Sequence, residues 1–269
     1  MRMRGASADS VAALTEDLRK AASTLGQAAT MADDLFTVAR TLRAEGALRR
    51  FATDGAIDAE AKTGLVTQIF GGKIDEGTLR VVTSAVSRRW TASRDLADAL
   101  EHLGVVAHVT SAGKGGERLA DELFGFAQAV KRNPDLRDAL ADPARSAEDK
   151  RRLLHTLLDD KALPATIALA QQSLVGSYRT VSVALTEFQQ VAAEVHGQGV
   201  ATVRVARPLD DAEVQRLGDV LSRQYGRPVH INLLVDPSVI GGVRVEIGDD
   251  VIDGTVSSRL DDARRRLAG

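Results

Sequence analysis

Cysteine is absent from the 269 residues of the chain. That removes disulfides, thiolate nucleophiles and cysteine-based zinc or iron–sulfur centres together, and it fits a reducing compartment. Aromatic residues are scarce, at 3 %, so any core must be built from aliphatic and small side chains, a composition suited to helices that approach closely. Neither sign of charge dominates. With 35 Lys and Arg against 37 Asp and Glu and a pI near 6.2, no global field draws in nucleic acid or anionic lipid. No apolar run approaches the ~18 residues of a membrane span. The basic opening "MRMRGASADS" is not followed by the roughly 7–15 apolar residues of a secretory signal. The expectation is a chain of the cytoplasm with no direct membrane insertion.

What is present is a hydrophobic content of 44 %, enough for real cores, and an internal repeat. Shifted by 88, "ADDLFTVARTLRAEGALRRFATDGAIDAEAKTGL" falls on "ADELFGFAQAVKRNPDLRDALADPARSAEDKRRL" without a gap. Between Ala32 and Thr78, 15 of 47 positions are identical, well above a chance handful even for an Ala-rich chain. Leu35/Leu123, Phe36/Phe124, Arg49/Arg137, Glu60/Glu148 and Lys73/Lys161 are among them. Further on identity fades but class persists, with Trp90 over Tyr178 and Leu100 over Phe188. Apolar residues recur at helical spacing, as Leu35, Val38, Leu42 and as Leu123, Phe126, Val130, so each helix has one stripe to bury. This predicts a duplicated helical unit of four or five helices. An extra leading helix is expected from Asp9 to Leu25, and a flexible linker at "TSAGKGGE", so that the second bundle shares a helix with the first.

After His196 the texture changes. In "GVATVRVARPL" Ala201, Val203 and Val205 alternate with Thr202 and Arg204, which is strand period. A helix with Val214, Leu217 and Leu221 on one face follows behind a capping Asp210. "RPVHINLLVD" and "GVRVEIGDDVIDG" read as two further strands joined by "VDPSVIGG", where Asp236 and Pro237 start a turn and Gly241-Gly242 permit positive φ or a bulge. Asp253-Gly254 ends the last strand, Thr255 caps a final helix, and Val256, Leu260, Ala263 and Leu267 form its stripe. The fold class expected is mainly α with a small α/β C-terminal domain: two tandem helical bundles, 1–110 and 118–197, then a βαββα-type module over 198–269.

Candidate chemistry is thin. His102, His108, His155, His196 and His230 show no metal-ligand spacing, which makes structural or surface roles the expectation. "SAGKGGER" has the glycines and lysine of a phosphate loop, but His108 stands where a Walker motif needs its first Gly and Gly115 where it needs Ser or Thr. No GxSxG elbow appears. Asp33/Asp34 and Asp121/Glu122 read as solvated helix edges, and the terminal "RRRLAG" from Arg264, behind Asp261 and Asp262, as cations complementing a helix C-terminus. No catalytic, cofactor-binding or metal residue is expected. An enzyme working through His196 or His230 has only the imidazoles in its favour, and a soluble RNA- or nucleotide-binding adaptor is the alternative from another class.

The stretch "VARPLDDAEVQRLGDVLSRQYGRPVHINLLVDPSVIGGVRVEIGDDVIDGTVSSRLDDARRRL" resembles the C-terminal signature of the delta subunits of F-type ATP synthase, bacterial relatives of the oligomycin-sensitivity-conferring protein. The second repeat, Leu119 to Gly197, is similar to the helical domain that precedes this module in the family. The first departs from the common pattern and, with "RGAS" and "SRRW" at Ser87 to Trp90, resembles the long actinobacterial form. In some of those relatives a b-type stalk segment is fused to this region; this chain looks free-standing. The resemblance implies a non-catalytic stator on the cytoplasmic face of the cell membrane, serving ATP synthesis and hydrogen-ion transport. Its helical domain would pack on N-terminal helices of the alpha subunits of the catalytic head, its C-terminal domain on the end of the b-subunit stalk, with no cofactor and no nucleic acid.

Overall fold

The computed structural model describes residues 3–256, 258 and 265. Contacts divide the chain into two compact units, Met1–Ala192 and Ala193–Gly269. The first is helical. A leading helix α1 (Ala6–Ala21) precedes α2 (Leu25–Ala44), α3 (Gly46–Thr53), α4 (Ala59–Phe70), α5 (Glu76–Val86) and α6 (Asp95–Ser111). The series then repeats as α7 (Gly116–Arg132), α8 (Pro134–Ala141), α9 (Ala147–Leu158), α10 (Pro164–Gln172) and α11 (Val181–Val195). Shifted by 88, α3 lies on α8 and α4 on α9 at both ends, so each repeat carries five helices and α1 is the additional one.

Short polar side chains set where these helices start. Thr24 Oγ1 accepts from Gln27 N, Asn133 Oδ1 from Leu136 N and Ser146 Oγ from Asp149 N, each satisfying an amide that the first turn leaves unpaired. Pro134 follows its cap at the position where a missing N–H costs nothing. Leu35, Val38 and Leu42 are buried in the first repeat, and Leu123, Phe126 and Val130 in the second, as their spacing predicts. Each large side chain so buried contributes about 1.5–3 kcal/mol. Trp90 and Tyr178 both lie in the turn before the last helix of their repeat; the indole Nε1 donates to Ala85 O, and the phenol ring meets Phe188 edge-on at 5.3 Å.

Two expectations need correction here. The leading helix runs Ala6–Ala21, because Thr24 caps a new helix that begins at the expected end, Leu25. The segment 110–117 is not a flexible linker: α6 continues through Ser111, one 3-10 turn spans Gly113–Gly115, and α7 begins at Gly116. Gly113, at φ +53, makes the reversal. The helix that the repeats share is α6. It packs against α1 and α2 of the first repeat and against α7 and α10 of the second. Leu96, Leu100, Leu103, Val105, Val106 and Val109 are accordingly buried around its circumference.

The second unit holds β1 (Gly199–Val205), α12 (Asp211–Tyr225), β2 (Val229–Val235), β3 (Val243–Ile247) and β4 (Asp250–Asp253). The sheet order is β2-β1-β3-β4. β1 and β2 run parallel with α12 as their crossover, while β3 is antiparallel to β1 and to β4. Ala201, Val203, Val205, Val245 and Ile247 form one buried face, closed by Leu221 with Leu217 beside it. Asp210 and Glu213 complete a capping box at the start of α12. The stretch read as one strand, "GVRVEIGDDVIDG", is two, because Gly248 at φ +58 turns the chain into a tight hairpin. Thr255 Oγ1 accepts from Ser258 N as the expected cap. Val256 is helical and exposed, whereas Leu260, Ala263, Leu267, Asp261, Asp262 and Arg264 lie outside the described residues.

Candidate functional site

The loop between β2 and β3 is organised by its own side chains. Asp236 Oδ1 accepts from Ser238 N at 2.9 Å and from Ser238 Oγ at 2.6 Å, which holds its carboxyl below the usual carboxylate range. Gly242 sits at φ +84, and a Cβ there would collide with the Gly254 carbonyl, so only glycine fits. A cavity of about 540 Å³ opens beside this loop. Its charged lining is spent internally: Arg204 and Arg244 stand 3.6 and 3.2 Å from Glu246, and Arg244 stands 3.6 Å from Asp253. Asp253 Oδ1 also accepts from Thr255 N and Oγ1, which lowers its pKa. The glycines and acids of the signature build a turn and a hairpin end.

The histidines play separate parts. His108 Nε2 lies 3.1 Å from Asp33 Oδ1, and its ring is tilted over Phe36 at 5.6 Å. Burial pushes His102 down to about 4, with Glu187 opposing. His155 is exposed, 3.7 Å from Asp159. His196 lies in the turn after α11 and His230 in β2. Among the described residues no three His, Asp or Glu side chains gather where a metal could bind. Lys114 is exposed on the 3-10 turn, in no strand–loop–helix setting that would cradle a phosphate.

Two carboxylates read as solvated are interior fasteners. Asp34 Oδ2 accepts from Asp75 N (2.7 Å) and Thr78 Oγ1 (3.2 Å). Glu122 Oε2 accepts from Leu163 N (2.8 Å) and Thr166 Oγ1 (2.6 Å). Each ties the third position of an ADD or ADE triplet to the start of the helix three further along, α5 from α2 and α10 from α7, and both threonines are 0 % exposed.

The residue that sequence reasoning missed is Glu101 of α6, 1 % exposed. Its carboxylate accepts from Arg43 Nη2 at 2.6 Å, Gln172 Nε2 at 2.8 Å and Ser177 Oγ at 2.7 Å. A buried carboxylate is tolerable only when so fully partnered. Gly176 permits the approach, since a Cβ there would collide with Glu101 Oε1. Partial burial, and after it this carboxylate, raise the phenol of half-buried Tyr178 well above its usual range. A carboxylate inside the apolar run "LADALEHLGVV" was the available signal. The α1 side is fastened comparably: Asp17 Oδ2 accepts from Ser84 Oγ at 2.8 Å and pairs with Arg88 at 3.2 Å, and Ser10 Oγ donates to Arg89 O. Between α1 and α5 a groove of about 320 Å³ remains open to solvent, with Val81 and Ala21 on its floor and Lys20 and Arg80 at its rim.

Fold and site together define a class: a helical repeat protein with a small α/β module, whose polar groups hold helices together rather than a substrate. The family model for the ATP synthase delta (OSCP) subunit matches residues 105–267. A protein named ATP synthase subunit delta from a Nocardioides species is 57 % identical over 99 % of this chain and 98 % of its own length. Proteins of the same name from Kineococcus radiotolerans and Streptomyces avermitilis are 46 % and 40 % identical, over 88 % and 100 % of this chain and 87 % and 100 % of theirs. The chain belongs to the ATP synthase delta (OSCP) subunit family, whose members are structural rather than catalytic subunits of the enzyme's peripheral stalk. The family model begins inside α6, and the relatives matched end to end carry the first repeat as well.

Proposed function

We propose that this chain is the stator adaptor of an F-type proton-translocating ATP synthase. It joins N-terminal helices of the alpha subunits to the C-terminal ends of the b subunits, at the cytoplasmic face of the cell membrane. The observation that carries the reading is near full-length similarity to ATP synthase delta subunits. Among the described residues no helix is long and apolar enough to cross a membrane, which suits attachment through partners. The working division is helical repeats 1–110 and 118–197 and an α/β module 198–269, with the repeats serving the head and the module serving the stalk.

The job is mechanical: the head must not turn with the rotor while protons drive it. An amphipathic helix laid into a groove between two bundle helices suits that task, because it buries an apolar stripe and resists shear along its length. Nanomolar retention asks for about −12 kcal/mol. The test is reconstitution of membranes stripped of the delta subunit. Adding the chain restores coupled ATP synthesis and retention of the catalytic head; failure to restore either would overturn the reading.

A further inference from the structure

The two repeats hold their short hairpins, α3–α4 and α8–α9, by different means. Arg49 and Arg137 are the same residue 88 positions apart. Arg49 reaches back to the end of α2, where its Nη1 donates to Leu42 O at 2.9 Å and to Arg43 O at 3.0 Å. Carbonyls in the last turn have no partner within their own helix, so this arginine latches α3 to α2. Arg137 is exposed instead and stands 3.4 Å from the adjoining Asp138, where the first repeat has Arg50. The latch of the first repeat is open in the second. Packing diverges in the same direction. Phe51 and Phe70 are replaced by Ala139 and Leu158. Helix α4 buries Lys62, Val66 and Phe70, whereas α9 buries Leu154 alone and leaves Leu157 37 % exposed. With less apolar surface removed from water, less holds the second hairpin down.

What α8–α9 lacks in anchorage it has in local support. Asn133 caps α8 with Pro134 behind it, and Ser146 caps α9, whereas α3 and α4 start without a side-chain cap. Ion pairs between near neighbours line the second hairpin: Arg145 with Asp142 at 3.6 Å, Arg151 with Glu148 at 3.7 Å and Arg152 with Asp149 at 3.1 Å. Such contacts travel with the helices and are kept when the hairpin leaves the body of its repeat. Both of its ends are non-helical. Asn133 is extended between α7 and α8, and Asp160, after α9, lies at φ +59 where the first repeat has Gly72 at φ +71. An aspartate in the left-handed region is strained relative to glycine, so movement there relieves strain.

We propose that α8–α9 is a hinged flap, which swings from the second repeat as one folded piece about Asn133 and Asp160, while α3–α4 stays fixed to the first. The flap follows from the fold and is independent of the stator reading. Closed, it buries Leu140 and Leu154; open, it bares both to water. It gives the second repeat a compliance that the first does not have, in an element that opens far more readily than the whole chain unfolds.

The chain has no cysteine, so a single introduced thiol reports opening without background. Val66→Cys and Leu154→Cys, each in the full chain, place it at equivalent positions on the buried faces of α4 and α9, 2 % and 0 % exposed in the parent. Labelling by a disulfide reagent is followed under native conditions. The expected result is labelling at position 154 at least about tenfold faster than at position 66 and faster than global unfolding of the same variant, while the central amides of α9 exchange more slowly than the thiol reacts. Equal rates at the two positions, or labelling at 154 that waits for global unfolding, overturn the flap. Amides that exchange as fast as the thiol reacts show a melting segment and overturn it as well. Ala52→Cys and Leu140→Cys repeat the comparison on α3 and α8, also at buried positions, and decide it where a member of the first pair does not fold. Arg49→Ala should quicken labelling at position 66, and Arg137→Ala should leave labelling at position 154 unchanged. Equal acceleration by both would mean a closed latch in each repeat and would overturn the proposal.

Discussion

Asp34 and Glu122, 88 positions apart, make the same pair of hydrogen bonds: each accepts a backbone amide, from Asp75 or Leu163, and a buried threonine hydroxyl, from Thr78 or Thr166. The carboxylates differ by a methylene, yet the geometry has been kept in both repeats. Removing either leaves an interior hydroxyl without its acceptor, a cost of about 1–3 kcal/mol. Asp34→Ala and Glu122→Ala should each lower the urea midpoint accordingly. Adding Thr78→Val to the first and Thr166→Val to the second should recover part of the loss, because the orphaned hydroxyl is then gone.

Glu101 is expected to be more sensitive. Truncation to Ala strips Arg43, Gln172 and Ser177 of a common acceptor, and breaking a buried pair from one side costs about 3–5 kcal/mol. Glu101→Gln keeps an acceptor oxygen and should cost less. Chemical denaturation of the full chain measures both, and an Ala variant as stable as the parent would show that the network does not hold the repeats together.

Gly104 reports on the same region by packing. Alanine there gains helix propensity of about 1 kcal/mol, but its methyl would stand 2.6 Å from the Phe36 ring. The net effect expected is destabilisation of about 1–3 kcal/mol. Phe36→Leu in the same chain should return part of that stability, and the midpoints of the single and double variants form a coupling cycle.

His102 predicts a pH dependence of definite sign. Its folded pKa, about 4, lies below the ordinary value of 6.5 because burial disfavours the charged ring. The unfolded chain takes up the proton first, so the stability tied to the neutral ring is complete above about pH 6.5 and is lost as pH falls toward 4. The full span is on the order of 3 kcal/mol. Unfolding curves at pH 7.5 and pH 5 should differ by more in the parent than in His102→Gln; equal differences would refute the assignment.

Much of this was legible before any coordinates. The duplication left enough identities to align α3 on α8 and α4 on α9, and stripes such as Leu35, Val38, Leu42 declared their buried faces. Capping by Asp210 and Thr255 follows from local chemistry that tertiary packing does not override. The linker misled because glycine, serine and lysine are also what a single tight 3-10 reversal needs. The hairpin misled because β-branched residues flank Gly248 on both sides and hide the turn. Asp34, Glu122 and Glu101 stayed hidden for another reason: a carboxylate's partners come from helices distant in sequence, and single-helix periodicity holds no record of them.

The continuity from α6 through Gly113–Gly115 into α7 bears on how a pull would travel. A slack tether must first be drawn taut, and each reversal of torque would waste motion in taking up that play. Here the helix that finishes one repeat is already wedged into the next, with Glu101 pinned to Gln172 and Ser177, so strain applied to either repeat reaches the other without backlash. In a stator built this way, elastic give would be sought away from the α6–α7 junction.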